Sequence, residues 1–136
     1  MLFFKWGCFL LLISLAVVAS IMKSSADFSA PIYSLERLIG GDKVLHFSAA
    51  TVLGFFSVWC TPERLRFWLP NGLGWPTVIL SILVLADEVS QIWLPRRQFS
   101  WLDLLADFTG LLSGFIAYIV IFTLLSAMNR IFLLRN

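Results

Sequence analysis

Four apolar runs, each near the length of a bilayer crossing, dominate this chain: Trp6 to Met22, Val44 to Cys60, Thr77 to Leu94 and Leu104 to Met128. A helix rises about 1.5 Å per residue, so roughly 20 apolar residues span a hydrocarbon core of about 30 Å. That core offers no water to backbone polar groups, which leaves helices or closed barrels, and runs this long and unbroken suit helices. Of the 136 residues, 60% are hydrophobic and 13% charged. A small soluble domain buries only about 60 to 70% of the surface its chain exposes, so water cannot be the solvent for such a composition. The expected architecture is all-α: a polytopic membrane protein, one domain over residues 1–136, built as a four-transmembrane-helix bundle.

The first run follows Lys5 and ends at Lys23, which is also how a secretory signal peptide reads. Three further spans and the lack of a long translocated domain favour a retained helix. Between the spans, Ser24 to Gly41 is a polar loop with a short surface helix expected near Leu35 to Ile39. Thr61 to Pro76 is rich in Pro, Gly and Trp, and Pro95 to Asp103 is short. Trp6, Trp59, Trp68, Trp75, Trp93 and Trp101 all fall at span ends or in loops, as residues that prefer the membrane interface do. Lys5, Arg64, Arg66, Arg130 and Arg135 lie on one side of the bilayer, and Lys23, Arg37, Lys43, Arg96 and Arg97 on the other. The tie is broken by the acidic company of Lys43, Arg96 and Arg97, which puts both termini in the cytoplasm. A net charge of +2 gives no basic stripe for nucleic acid. Cys8 and Cys60 sit in apolar runs and read as packing residues.

Ionisable groups in a span are costly, from about 2.5 kcal/mol upward, and mark functional sites. The second run opens with Asp42, Lys43 and His46; the third ends with Asp87, Glu88 and Gln91; the fourth opens with Asp103 and Asp107. Alternating span direction brings the three groups to one membrane face. Helical spacing sets Asp42, His46 and Ala50 on one stripe, Glu88 and Gln91 on another with Ser81 and Val84, and Asp103, Asp107, Gly110 and Gly114 on a third. The small residues let helices approach. Five carboxylates (Asp42, Asp87, Glu88, Asp103 and Asp107) face Lys43, Arg96, Arg97 and His46, an acidic excess that a dry site resists.

The order and spacing of Asp42-Lys43-Val44-Leu45-His46-Phe47, Glu88-x-x-Gln91, Pro95-x-Arg97 and Ser100-x-x-Asp103-Leu104-Leu105-Ala106-Asp107-x-x-Gly110 resemble the VanZ-like family of small bacterial membrane proteins. The resemblance covers roughly residues 40 to 115. It departs at Ala50, where the family usually has Tyr, and at Asp107, where it often has Asn. It implies a role in the bacterial cell envelope, the founding member being linked to resistance to the glycopeptide teicoplanin.

Several readings of the polar group stand open. In one, Arg97, Arg96 and Lys43 grip a phosphate of a lipid or lipid-linked cell-wall intermediate, with Asp42, Gln91, Asp103 and Asp107 lining the site and His46 and Glu88 as acid and base. In a structural reading, Asp42 caps the second span, Asp103 favours the N-terminus of the fourth, and Arg97 and Glu88 neutralise each other. A proton or ion pathway is a third reading. A metal site is the weakest, since the chain lacks paired Cys or His ligands. No organic cofactor is implied, for there is no Gly-rich phosphate loop, nucleophile elbow or dinucleotide fingerprint.

Overall fold

A computed structural model describes residues 2–62, 65, 74–95 and 97–135. Helix α1 is Leu2–Ser24, α2 Ala30–Ile39, α3 Asp42–Cys60, α4 Trp75–Ser90 and α5 Trp101–Arg135, with a 3-10 turn at Gln91–Trp93 after α4. Four segments, α1, α3, α4 with its 3-10 turn, and α5, are long and apolar enough to cross a membrane. All described elements are helical, and the exposed surfaces of these four are rows of Leu, Ile, Val and Phe.

Glycine decides which helices meet. Lipid tails are as apolar as leucine, so helices in a membrane associate through close packing of small residues. A side chain on Gly114 would collide with the Thr51 carbonyl and one on Gly54 with the Leu111 backbone, while a Cβ on Gly110 would lie 2.5 Å from the Phe47 carbonyl oxygen. Helices α3 and α5 therefore pack backbone against backbone, side by side in one direction, along the most extensive contact in the molecule. Phe55 and Tyr118 continue it, ring edge to ring face at 5.5 Å.

A core of Phe9, Ala50, Leu53, Cys60, Leu80 and Leu111 joins α1 and α4 to this pair. Near the C-terminal end of α3, the buried hydroxyls of Ser57 and Thr77 lie 2.9 Å apart and tie α3 to α4. Cys60 is buried there, its thiol donating to the Ser57 carbonyl. Lys5 at the start of α1 sits over the Trp59 ring, so α1 runs opposite to α3.

The expected short helix in the first loop is longer than Leu35 to Ile39. Pro31 in the first turn, where a missing N–H costs nothing, starts α2 at Ala30. Gly40, at φ 104°, ends it, and Gly41, at φ 119°, turns directly into α3. This two-residue handover packs α2 on the bundle with Ile32 and Glu36 buried. Helix α5 also outruns its expected limits at both ends. Ser100 caps its start, accepting from the Asp103 backbone N–H at 3.3 Å, and nothing after Met128 breaks a helix. Arg64, Arg66, Trp68 and Arg96 lie outside the described residues.

Candidate functional site

The tight α3–α5 contact sets the register of the polar residues at one end of the bundle. One turn before Gly110, Asp107 accepts from Nδ1 of His46 at 3.1 Å. One turn earlier again, Lys43 pairs with Asp103 at 2.9 Å. His46 thus stands between two carboxylates, its Nε2 lying 3.5 Å from Asp42.

Glu88, 1% exposed, is the largest fully buried side chain among the described residues. The Gln91 amide donates to one of its oxygens at 2.7 Å, and the Ser100 backbone N–H donates to the other at 2.8 Å. Gln91 turns its own amide oxygen to Nε of Arg97, 3.2 Å away. Arg97 also donates to the Ser20 carbonyl at 3.3 Å. Glu88 therefore positions Gln91, and Gln91 positions the guanidinium.

Arg97 has no carboxylate within 4.0 Å among the described residues. Together with His46 and Asp107 it lines a cavity of about 480 Å³ whose remaining wall is mostly aliphatic.

The structure brings Asp42, Lys43, His46, Glu88, Gln91, Arg97, Asp103 and Asp107 to one end, yet several contacts differ from expectation. Lys43 does not line the cavity; its half-exposed side chain pairs with Asp103. Asp42 does not cap α3. It is the first helical residue, behind Gly41, and no side-chain cap bond forms there. Its carboxylate instead meets Lys23 and His46. Asp87 is exposed and accepts from the Ser20 hydroxyl at 2.8 Å, apart from the Glu88 network. Arg97 and Glu88 do not pair; Gln91 stands between them.

Two charged residues escaped the sequence reading of the cluster. Lys23, at the end of α1, bridges Glu36 on α2, at 2.6 Å, and Asp42 on α3. The available signal for Glu36 was its place four residues after Ile32, on the inward stripe of α2.

His46, Glu88 and Asp107 each present one ligand atom within 4.8 Å of the others, as do Asp42, His46 and Asp103. Either trio could hold a divalent cation.

These features define a helical membrane protein with a charged network at one end of its bundle. The chain belongs to the VanZ/LLP1 family, whose family model matches residues 3–123. Neither curated proteins nor solved structures give a match to it.

Proposed function

We propose that this protein binds the phosphate-bearing head group of a lipid or lipid-linked cell-wall intermediate at the Arg97 end of the bundle, in an envelope role of the kind its family suggests. The observation that carries the reading is the Arg97 guanidinium, held by Gln91 and the Ser20 carbonyl, facing a cavity, and without a carboxylate partner among the described residues. An Arg spared from charge balance and oriented by neutral acceptors is suited to a phosphate, which its planar fork can bind through two parallel hydrogen bonds. His46, backed by Asp107, is the proton-handling group next to the same cavity, and the buried Glu88 serves by fixing Gln91.

In this reading the four apolar segments cross the bilayer, both termini lie in the cytoplasm, and the polar end faces outward. The competing reading is a non-catalytic network that fixes helix register. It draws support from the Lys43–Asp103 and Lys23–Glu36 pairs, but among the described residues it gives Arg97 no counterion. Mass spectrometry of lipids that co-purify with the wild type and with Arg97→Ala separates the two. A phosphorylated lipid retained by the wild type and lost from the folded variant supports binding, and identical lipid profiles favour the structural network.

A further inference from the structure

The cavity beside Arg97 continues from its charged end into an apolar cleft. Its charged and polar lining (Ser20, Lys23, His46, Asp87, Arg97 and Asp107) lies at one end. Below that end the walls are Ile13, Ala16 and Val17 of α1, Ala49 and Leu53 of α3, and Leu80 and Leu83 of α4. Helices α1 and α4 each pack on α3 but scarcely touch one another. What joins them at the top is the Ser20–Asp87 hydrogen bond. The cleft is therefore a gap between α1 and α4 with α3 as its floor.

Its length has a physical meaning. Among its lining residues, the helical rise gives about 15 Å from Lys23 back to Ile13 on α1 and about 12 Å from Leu45 to Leu53 on α3. That is roughly half the 30 Å hydrocarbon thickness, the depth of one leaflet. A gap lined with aliphatic side chains and set among lipid takes up hydrocarbon, while the cation at its top favours an anion. Because lipid tails are as apolar as the cleft, the chain gains little from transfer alone. The cleft instead determines where the chain lies once the head group is held.

We propose that the α1–α4 cleft holds one hydrocarbon chain of an anionic lipid from the leaflet at the polar end, with the lipid's head group at Arg97. This rests on the head-group reading and extends it: the ligand is an amphiphile seated by head and tail together, not a free phosphorylated solute.

The test uses the full-length protein in phosphatidylcholine nanodiscs with two photoreactive probes, dodecyl phosphate and dodecanol, each carrying a diazirine at the chain end. Adducts are mapped by mass spectrometry. Dodecyl phosphate labels Ile13, Ala16, Leu53 and Leu80 several-fold more than the lipid-exposed Leu112, Ile116 and Leu124 of α5. Ala16→Phe, which fills the cleft, removes the first set of adducts and spares the second. Even labelling of cleft and α5 by dodecyl phosphate in the wild type overturns the proposal without need of any variant. Cleft labelling that is equal for the two probes shows a chain seated without help from a phosphate and overturns the joint head-and-tail site. Arg97-dependent binding of inorganic phosphate without cleft labelling upholds the phosphate site and overturns the chain.

Discussion

Both carboxylate oxygens of Asp107 lie 3.1 Å from Nδ1 of His46, so one acid on α5 fixes the orientation of a ring on α3. The carboxylate only accepts, so the proton of that bond belongs to Nδ1. Asp107→Asn keeps an acceptor, and Asn is the residue the family often has at this position. Its folding stability should stay within about 1 kcal/mol of the wild type, whereas Asp107→Leu leaves Nδ1 of His46 without its acceptor and costs about 1 to 3 kcal/mol. Thermal unfolding in a fixed detergent compares the two; equal losses would remove the hydrogen bond from the account.

The α3–α5 register depends on glycine at the points of closest approach. Gly114→Val places methyls where the Thr51 carbonyl and Phe55 backbone already lie, while a Cβ on Gly7 meets nothing within 4 Å. Overpacking of this kind costs about 1 to 3 kcal/mol or more, here against backbone that cannot step aside. Gly114→Val should sharply reduce the yield of folded protein, and Gly7→Val should leave it unchanged, as read by size-exclusion chromatography.

Lys23 links the end of helix α1 to Glu36 and Asp42. Removing it strands Glu36, which is 8% exposed. Breaking a largely buried pair from one side costs about 3 kcal/mol, and removing both partners costs much less. Lys23→Met should lower the melting temperature by several degrees, and adding Glu36→Gln should recover most of the loss. A double variant no more stable than the single one would contradict the pairing.

Much of this organisation was legible in the residues. The four apolar runs declare themselves by length, and Gly110 and Gly114 mark the α3–α5 seam because small residues at helical spacing have few other uses in a membrane. The ends were less clear. Pro31 and Gly40 together delimit α2, but a ten-residue helix with modest hydropathy looks like loop until something buries its Ile32 side. Lys23 and Glu36 were missed as a pair because each is unremarkable on its own element and only the Gly40–Gly41 turn brings α2 against α1. The α1–α4 cleft was invisible for a different reason. An aliphatic residue facing lipid and one facing a gap between helices follow the same pattern.

The proposed membrane orientation is open to a direct labelling test. With both termini in the cytoplasm, a Ser29→Cys side chain in a Cys8→Ser, Cys60→Ala background, just before α2, should react with an impermeant maleimide added outside intact cells. Labelling only after lysis would turn the whole arrangement over and place the polar end at the cytoplasmic leaflet.

In the proposed function Arg97 binds an anion and does not balance charge. Lysine preserves the charge and loses the fork. On one purified Arg97→Lys preparation, thermal unfolding and the amount of bound phosphorylated lipid are measured together. The expected result is a melting temperature close to that of the wild type with bound lipid reduced about tenfold, the loss of one charge-assisted hydrogen bond being worth roughly 1.5 kcal/mol or more. Undiminished lipid in the folded variant, or no phosphorylated lipid in either protein, would contradict it.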